Sequence, residues 1–153
     1  MNKIDPIKFW SRAGPFREFS NFAAFGFEAD GVHWPTVEHY FQAQKFEGPG
    51  AAEFRELIRT AASPKEAKRL AWSGTLPIRP DWDSVRDDVM RHALSLKFAN
   101  PVLRDLLLSS GNRPLIEDSP FDRYWGAGKG GRGKNRLGVL LMELRDRLRI
   151  GLR

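Results

Sequence analysis

Residues 25–46 read FGFEADGVHWPTVEHYFQAQKF and carry two kinds of pattern in one stretch. Up to Trp34, apolar and polar residues alternate on either side of Asp30-Gly31. That is the pattern of two short strands joined by a type I′ turn, whose central residues both take positive φ. From Thr36 the period changes. Pro35 stands just outside, the Thr36 hydroxyl is a helix cap, and VEHYFQAQKF (37–46) follows as a helix. A hairpin leading directly into a helix predicts an α+β chain.

Working outward, IKFW (7–10) reads as a short strand, and FREFSNFAAF (16–25) is irregular and rich in Phe. Downstream, a helix is predicted from about Ala51 to Ala61. Ser63-Pro64-Lys65-Glu66 is a capping box with proline at the first helical position, opening a helix through Trp72. The loop SGTLPIRP (73–80) leads to Asp81 or Asp83 as cap of SVRDDVMRHALSLKF (84–98), where Val85, Val89 and Leu96 fall at helical spacing. Asn100-Pro101 starts a helix that Gly111 ends, and PLIE (114–117) is a short strand. A glycine-rich loop, 119–135, precedes a last helix capped by Asn135, with Leu137, Leu140, Leu141, Leu144 and Leu148 on one face. The expectation is α+β, mainly α: a single domain over 1–153, with a small β-hairpin or sheet packed on several helices.

Composition narrows the chemistry. A chain of 153 residues and 17.5 kDa can bury roughly 70% of its unfolded surface. With no cysteine there is no disulfide, thiolate nucleophile or Cys-based zinc site. His33, His39 and His92 are too scattered to suggest a metal cluster, so no metal or redox cofactor is expected. No apolar run reaches membrane-spanning length, the N-terminus has no signal-peptide pattern, and the cytoplasm is the expected compartment. Lys and Arg number 25 against 19 Asp and Glu, a net charge of +6. Residues 129–153 hold eight basic and two acidic residues, so the whole excess sits there. Such a tail is commonly a solvated helix and solubility patch, or else the mark of a polyanionic partner.

Four features carry candidate chemistry. Glu38, Gln42 and Lys45 follow at i, i+4 and i+7, placing a carboxylate, an amide and an amine on one helical stripe beside Val37, Tyr40 and Phe41. At the border of an apolar face their pKa values shift toward useful ranges; taken alone, a solvent-facing stripe with ordinary helix pairing is commoner. Next, WGAGKGGRGKNR (125–136) has five glycines, at 126, 128, 130, 131 and 133. Gly126, Gly128 and Gly131 match G-x-G-x-x-G, and 128–135 approaches a P-loop with Asn135 in place of Ser or Thr. Neither motif follows a strand. Free backbone N–H groups, nearby Lys/Arg and a helix N-terminus nevertheless suggest an anion seat rather than a plain flexible turn. Third, SPFDRYWG (119–126) sets Asp122 among Phe121, Tyr124 and Trp125. Fourth, RPDWDSV (79–85) puts Trp82 at a helix entrance. Tyr124 and Trp125 are candidates for base stacking; the structural alternatives are a core anchor for Trp82 and a loop cap for Asp122.

Taken in order, FREFSNFAAF, DGVHWPTVEHYFQAQKF, RPDWDSVRDDVMRHALSLKF and FDRYWGAGKGGRGKNRLGVLLMELR resemble the NADAR superfamily, and within it the YbiA-like N-glycosidases of riboflavin-biosynthesis intermediates. The similarity runs from Phe9 to about Leu148. It implies a YbiA-like fold and cleavage of a C–N bond between ribose and an amino-substituted base. Some members act on phosphorylated ribosylamino-pyrimidines of the riboflavin pathway, and others remove ADP-ribose from the amino group of guanine in nucleic acid. By resemblance Glu38 is the catalytic glutamate, Asp122 the catalytic aspartate, Trp82 a functional tryptophan and Lys45 a lysine of a Schiff-base step in the guanine-directed branch. Val37 stands where close relatives often carry a small polar residue.

Joined to that resemblance, the residues imply a division of labour. Glu38 or Asp122 transfers the proton, and the other stabilises positive charge on the sugar. Lys45 either traps the opened sugar as an imine or holds a phosphate or hydroxyl. Trp82 and Trp125 wall the base. Asn21, Phe22 and Gln42 line the pocket, and Gly126, Gly128, Lys134, Asn135 and Arg136 bind phosphate. The expected partner is a small phosphorylated ribosyl substrate, or else ADP-ribosylated guanine in nucleic acid with the terminal arginines as a strand track. A non-catalytic nucleotide-binding module is the third reading. No membrane partner is expected, and the sequence leaves the oligomeric state open, with a monomer fitting.

Overall fold

The computed structural model describes residues 5–10 and 14–151. In chain order its elements are β1 (Ile7–Phe9), β2 (Phe27–Ala29), β3 (Val32–Trp34), α1 (Val37–Ala43), α2 (Ala51–Arg59), α3 (Pro64–Ala71), α4 (Trp82–Lys97), α5 (Pro101–Ser109), β4 (Leu115–Glu117) and α6 (Arg136–Gly151). The class is α+β and mainly α, as the patterning predicts. The chain forms two compact units, one from Ala24–Lys97 and one from the segments on either side of it.

In the Ala24–Lys97 unit, β2 and β3 pair antiparallel, with Phe27 opposite Trp34. Asp30 (φ 54°) and Gly31 (φ 77°) supply the positive dihedrals of the predicted turn. Phe27 and Trp34 close on Tyr40, with ring centroids 5.5 and 5.3 Å away, which packs the apolar face of the hairpin onto α1. The Thr36 oxygen accepts from the His39 N–H at 3.1 Å and caps α1. Every residue of α1 is buried, among α2, α3 and α4. The predicted helix to Phe46 stops early, at Ala43. There Lys45 N–H and Phe46 N–H turn to the carbonyls three residues back, Gln42 and Ala43, and the last turn tightens.

The other unit draws β1 and β4 together in parallel, Ile7 opposite Leu115. Phe19 packs on Phe9 and Phe98 at 5.6 and 5.9 Å. Asn100 caps α5 through Val102 N–H at 2.9 Å, with Pro101 in the first turn. Asn135 behaves differently from the expectation. Its backbone carbonyl starts α6, but its side chain is spent on β4: Oδ1 accepts from Glu117 N–H and Nδ2 donates to the Leu115 carbonyl, both at 2.9 Å. A left-handed backbone (φ 50°) aims the amide sideways at the strand. It is a strand clamp rather than a side-chain cap.

The basic tail divides in the same way. Arg145 is only 4% exposed and donates to Ser110 Oγ and the Arg113 carbonyl at 2.9 Å, while Arg149 donates to Asn112 and to the Gly111 carbonyl. These two arginines fasten the end of α5 instead of forming part of a strand track. Arg147 is exposed beside Glu143, and Arg153 lies outside the described residues.

α6 approaches β4 so closely that a Cβ on Gly138 would stand 2.0 Å from the Leu115 carbonyl oxygen. Helix propensity alone predicts that Gly138→Ala stabilises by about 1 kcal/mol. The contact predicts the opposite sign, a loss of roughly 1–3 kcal/mol or more, measurable by denaturant unfolding.

Candidate functional site

α1 puts Glu38 and Gln42 one turn apart, and both are buried. Gln42 Nε2 donates to Glu38 Oε1 at 2.8 Å. The stripe is therefore internal, and the solvent-facing alternative is excluded by burial. His39 beside it is spoken for: Nε2 donates to the Ala61 carbonyl at 3.0 Å, Nδ1 faces Thr36 Oγ1 at 2.8 Å, and burial holds its pKa below the usual histidine range.

Lys45 lies past the end of α1 and so leaves the i+7 position of the stripe, yet it stays inside the protein at 5% exposure. Its Nζ sits 5.9 Å from the Phe41 ring centroid and 4.8 Å from that of Trp72. Burial pushes its ammonium down to about 8; the Glu38 charge opposes that shift and Lys68 reinforces it. Near neutral pH part of the population is a free amine.

Trp82 joins the same group through Phe41, whose ring centroid lies 5.0 Å away at 55°. The chain holds this contact by backbone. Arg79 N–H donates to the Lys45 carbonyl at 2.8 Å, and Trp82 N–H to the Arg79 carbonyl at 3.2 Å. The Arg79 guanidinium is pinned by Asp81 and Glu47. Asp81 thus gives its carboxylate to Arg79 and only its backbone carbonyl to the start of α4. Glu38, Gln42, Lys45 and Trp82 all belong to this one unit, and Phe41, Trp72 and Lys68 join them. Trp72, which carries no motif in the sequence, meets Lys45 from the end of α3; its one sequence signal is its place off the stripe of Pro64, Ala67 and Ala71 that α3 buries.

The remaining candidates belong to the other unit. Asp122 Oδ1 accepts from Tyr124 N–H at 2.9 Å and Trp125 N–H at 2.8 Å, so the loop-cap reading holds whatever else the carboxylate does. Ser119 Oγ accepts from Phe121 and Asp122 N–H. The Tyr124 and Trp125 rings meet edge-on at 4.9 Å, and Lys134 Nζ stands 5.7 Å from the Tyr124 centroid. Asn21 is buried and Phe22 half-buried, its N–H on Ser20 Oγ.

The glycine loop corrects one expectation. Its N–H groups are largely engaged: Ala127, Gly128, Gly131, Gly133, Lys134 and Asn135 donate to Glu117, Ser119, Gly128, Ala127, Arg123 and Gly126 carbonyls. Arg136 and Leu137 N–H, at the head of α6, donate to the Tyr124 and Trp125 carbonyls. Glycine is required there by crowding. A Cβ on Gly126 would lie 2.0 Å from Glu117 Oε2, and one on Gly133 2.4 Å from the Gly126 carbonyl oxygen. The helix N-terminus is closed by its own loop, which leaves the exposed Lys129, Arg132 and Lys134 side chains as the loop's means of meeting an anion. Among the described residues, no group of three or more His, Cys, Asp or Glu gathers at metal-binding distance, and no helix is long and apolar enough to cross a membrane.

The NADAR domain profile matches residues 8–149. N-glycosidase YbiA of Escherichia coli (strain K12) is 48% identical over 145 residues, 94% of this chain and 89% of that protein. N-glycosidase Npun_R5314 of Nostoc punctiforme is 42% identical over 144 residues, 94% and 92% of the two chains. The Zea mays riboflavin biosynthesis protein PYRR, chloroplastic, is 41% identical over 155 residues, 93% of this chain but 25% of that protein. The NMR structure of E. coli YbiA superposes with a TM-score of 0.87 at 46% identity, covering 99% of this chain and 89% of its own.

The charges around Lys45 predict a titration. Followed by heteronuclear NMR, its amine is expected to titrate with a midpoint at about 8. Lys68→Met removes a like charge and raises that midpoint; Glu38→Gln removes an opposite charge and lowers it.

Proposed function

The chain belongs to the NADAR family and is an N-glycosidase, and we propose that its substrate is a small phosphorylated ribosylamino-pyrimidine of the kind formed in riboflavin biosynthesis. The observation that carries the reading is the buried Glu38 carboxylate, held by Gln42 and electrostatically coupled to an amine pushed down to about 8. Relatives from Zea mays and Vibrio vulnificus named for riboflavin biosynthesis support the substrate class.

In the proposed reaction the C1′–N bond breaks with its electron pair leaving on the base nitrogen, and positive charge builds on the sugar. Water adds its oxygen to C1′, one proton ends on the departing amine, and the products are free base and ribose phosphate. A carboxylate near C1′ stabilises the charged sugar, and an acid-base group carries the proton. Glu38 and Asp122 are the two candidates. Gln42 keeps Glu38 oriented. Lys45, partly neutral, is able to capture an opened sugar as an imine; as a cation it binds phosphate or a ribose hydroxyl. In the Ala24–Lys97 unit the proposal assigns base contact to Trp82; in the other unit it assigns base contact to Trp125, lining roles to Asn21 and Phe22, and phosphate binding to Lys134 and Arg136. A cytoplasmic location is part of the same proposal.

Removal of ADP-ribose from guanine in nucleic acid is the competing reading. Arg145 and Arg149 are committed to the end of α5, which weakens the electrostatic track that a strand needs.

The expected outcome is release of free base from the ribosylamino-pyrimidine phosphate, with Glu38→Ala slower by about 10²-fold or more. Asp122→Asn retains the Oδ1 that caps the loop, so a comparable loss in that variant assigns proton or charge chemistry to Asp122 rather than folding. A borohydride-trapped adduct that vanishes in Lys45→Ala identifies the imine route. Cleavage only of an ADP-ribosylated guanine oligonucleotide moves the substrate to the competing reading; cleavage of neither overturns the proposal.

A further inference from the structure

α3 ends at Ala71, and Trp72 follows at its C-terminal cap. The helix buries Pro64, Ala67 and Ala71, and Trp72 points away from them with 68% of its surface exposed. A tryptophan left that open forgoes the burial that ordinarily fixes the side chain. One contact locates its ring: Lys45 Nζ lies over it, 4.8 Å from the centroid. Lys45 is itself buried, so an interior amine covers one side of an indole whose remaining surface meets solvent. Phe41 lies 5.9 Å from the same Nζ and packs on Trp82, which connects the open ring to the rest of the Glu38–Lys45 group.

We propose that Trp72 is a substrate-positioning residue: its solvent-facing indole takes the aromatic base of the substrate by stacking on the face turned away from the Lys45 amine. The inference rests on the N-glycosidase reading above, since it needs a substrate with a planar base. Stacking suits that role because any base offers a π-face, whereas hydrogen bonds would have to match one ring's edge. It also explains why the ring is presented rather than buried. A purely shielding indole would keep water from Lys45 and nothing more. In that case its loss would move the Lys45 titration and leave substrate affinity alone. The charged groups facing Lys45 are Glu38 from α1 and Lys68 from α3, with the nearby Arg79 held by Asp81 and Glu47. Substituting Trp72 changes none of them.

The test combines kinetics with a binding measurement that needs no turnover. Trp72→Ala and Trp72→Phe are assayed on the ribosylamino-pyrimidine phosphate at pH values on both sides of 8, the Lys45 midpoint. Trp72→Ala is expected to raise KM about tenfold and to change kcat much less, and Trp72→Phe to recover most of the affinity, as loss and retention of a stacking face require. Separately, the wild-type indole N–H cross-peak of Trp72, identified by its disappearance in Trp72→Phe, is followed while a free diaminopyrimidine is added, and it is expected to shift. A wild-type KM in Trp72→Ala, or a Trp72→Phe no better than Trp72→Ala, overturns the proposal while leaving the glycosidase reading intact. Failure of the wild-type protein to cleave the substrate overturns the substrate reading instead. The titration then decides for Trp72, and a cross-peak that stays put overturns its role.

Discussion

Burial of α1 on every side is the constraint from which the Ala24–Lys97 unit follows. A buried helix has no water to satisfy its polar side chains, and each must find a protein partner or carry an unpaid desolvation cost. Thr36 answers His39, His39 answers the Ala61 carbonyl, and Gln42 answers Glu38. These bonds fix the rotamers of the carboxylate and the amide. The polar interior that makes the unit costly is therefore also what holds its reactive groups in one geometry.

Lys45 shows how the end of a helix tunes chemistry. Had α1 continued to Phe46, the amine would have stood on a regular stripe two turns from Glu38. Instead the tightened turn after Ala43 places it among Phe41 and Trp72, where few polar groups compete with desolvation. The pinned Arg79 segment, bonded to the Lys45 backbone, carries the chain on to Trp82. A single local irregularity thus sets the amine against Trp72, at the end of α3, and against Phe41, which packs on Trp82 of α4.

Much of this was legible in the sequence, and what escaped did so for identifiable reasons. The Asp30-Gly31 turn, the Thr36, Ser63 and Asn100 caps and the leucine face of α6 are local signals and appear where the pattern puts them. The pairing of β1 with β4 was not readable, because nothing local in three-residue strands names a distant partner. The glycine loop misled for a related reason. Glycines that free backbone N–H groups for a ligand and glycines that let loop segments pack tightly look identical in sequence. Only the carbonyls of Glu117, Ser119, Arg123 and Gly126 reveal the second case. Asn135 and Arg145 share that fate, since each has the residue type of an exposed role and is spent on a partner far along the chain.

The β1–β4 ladder has a consequence for how the protein comes into being. The Arg113 guanidinium bonds the Asp5 carbonyl across 108 positions, and β1 waits for a strand synthesised almost as late. Closing a loop of that length costs about 4 kcal/mol of chain entropy before any contact repays it. The Ala24–Lys97 unit is contiguous and needs no residue beyond Lys97 for its internal contacts. During synthesis it can reach its native contacts while β4 and α6 are still inside the ribosome, whereas β1 must remain unpaired until β4 has emerged. The order of assembly is thus written into the connectivity: the segment bearing Glu38 and Lys45 matures first, and the unit bearing Asp122 forms only after the strand that pairs with β1 has been made.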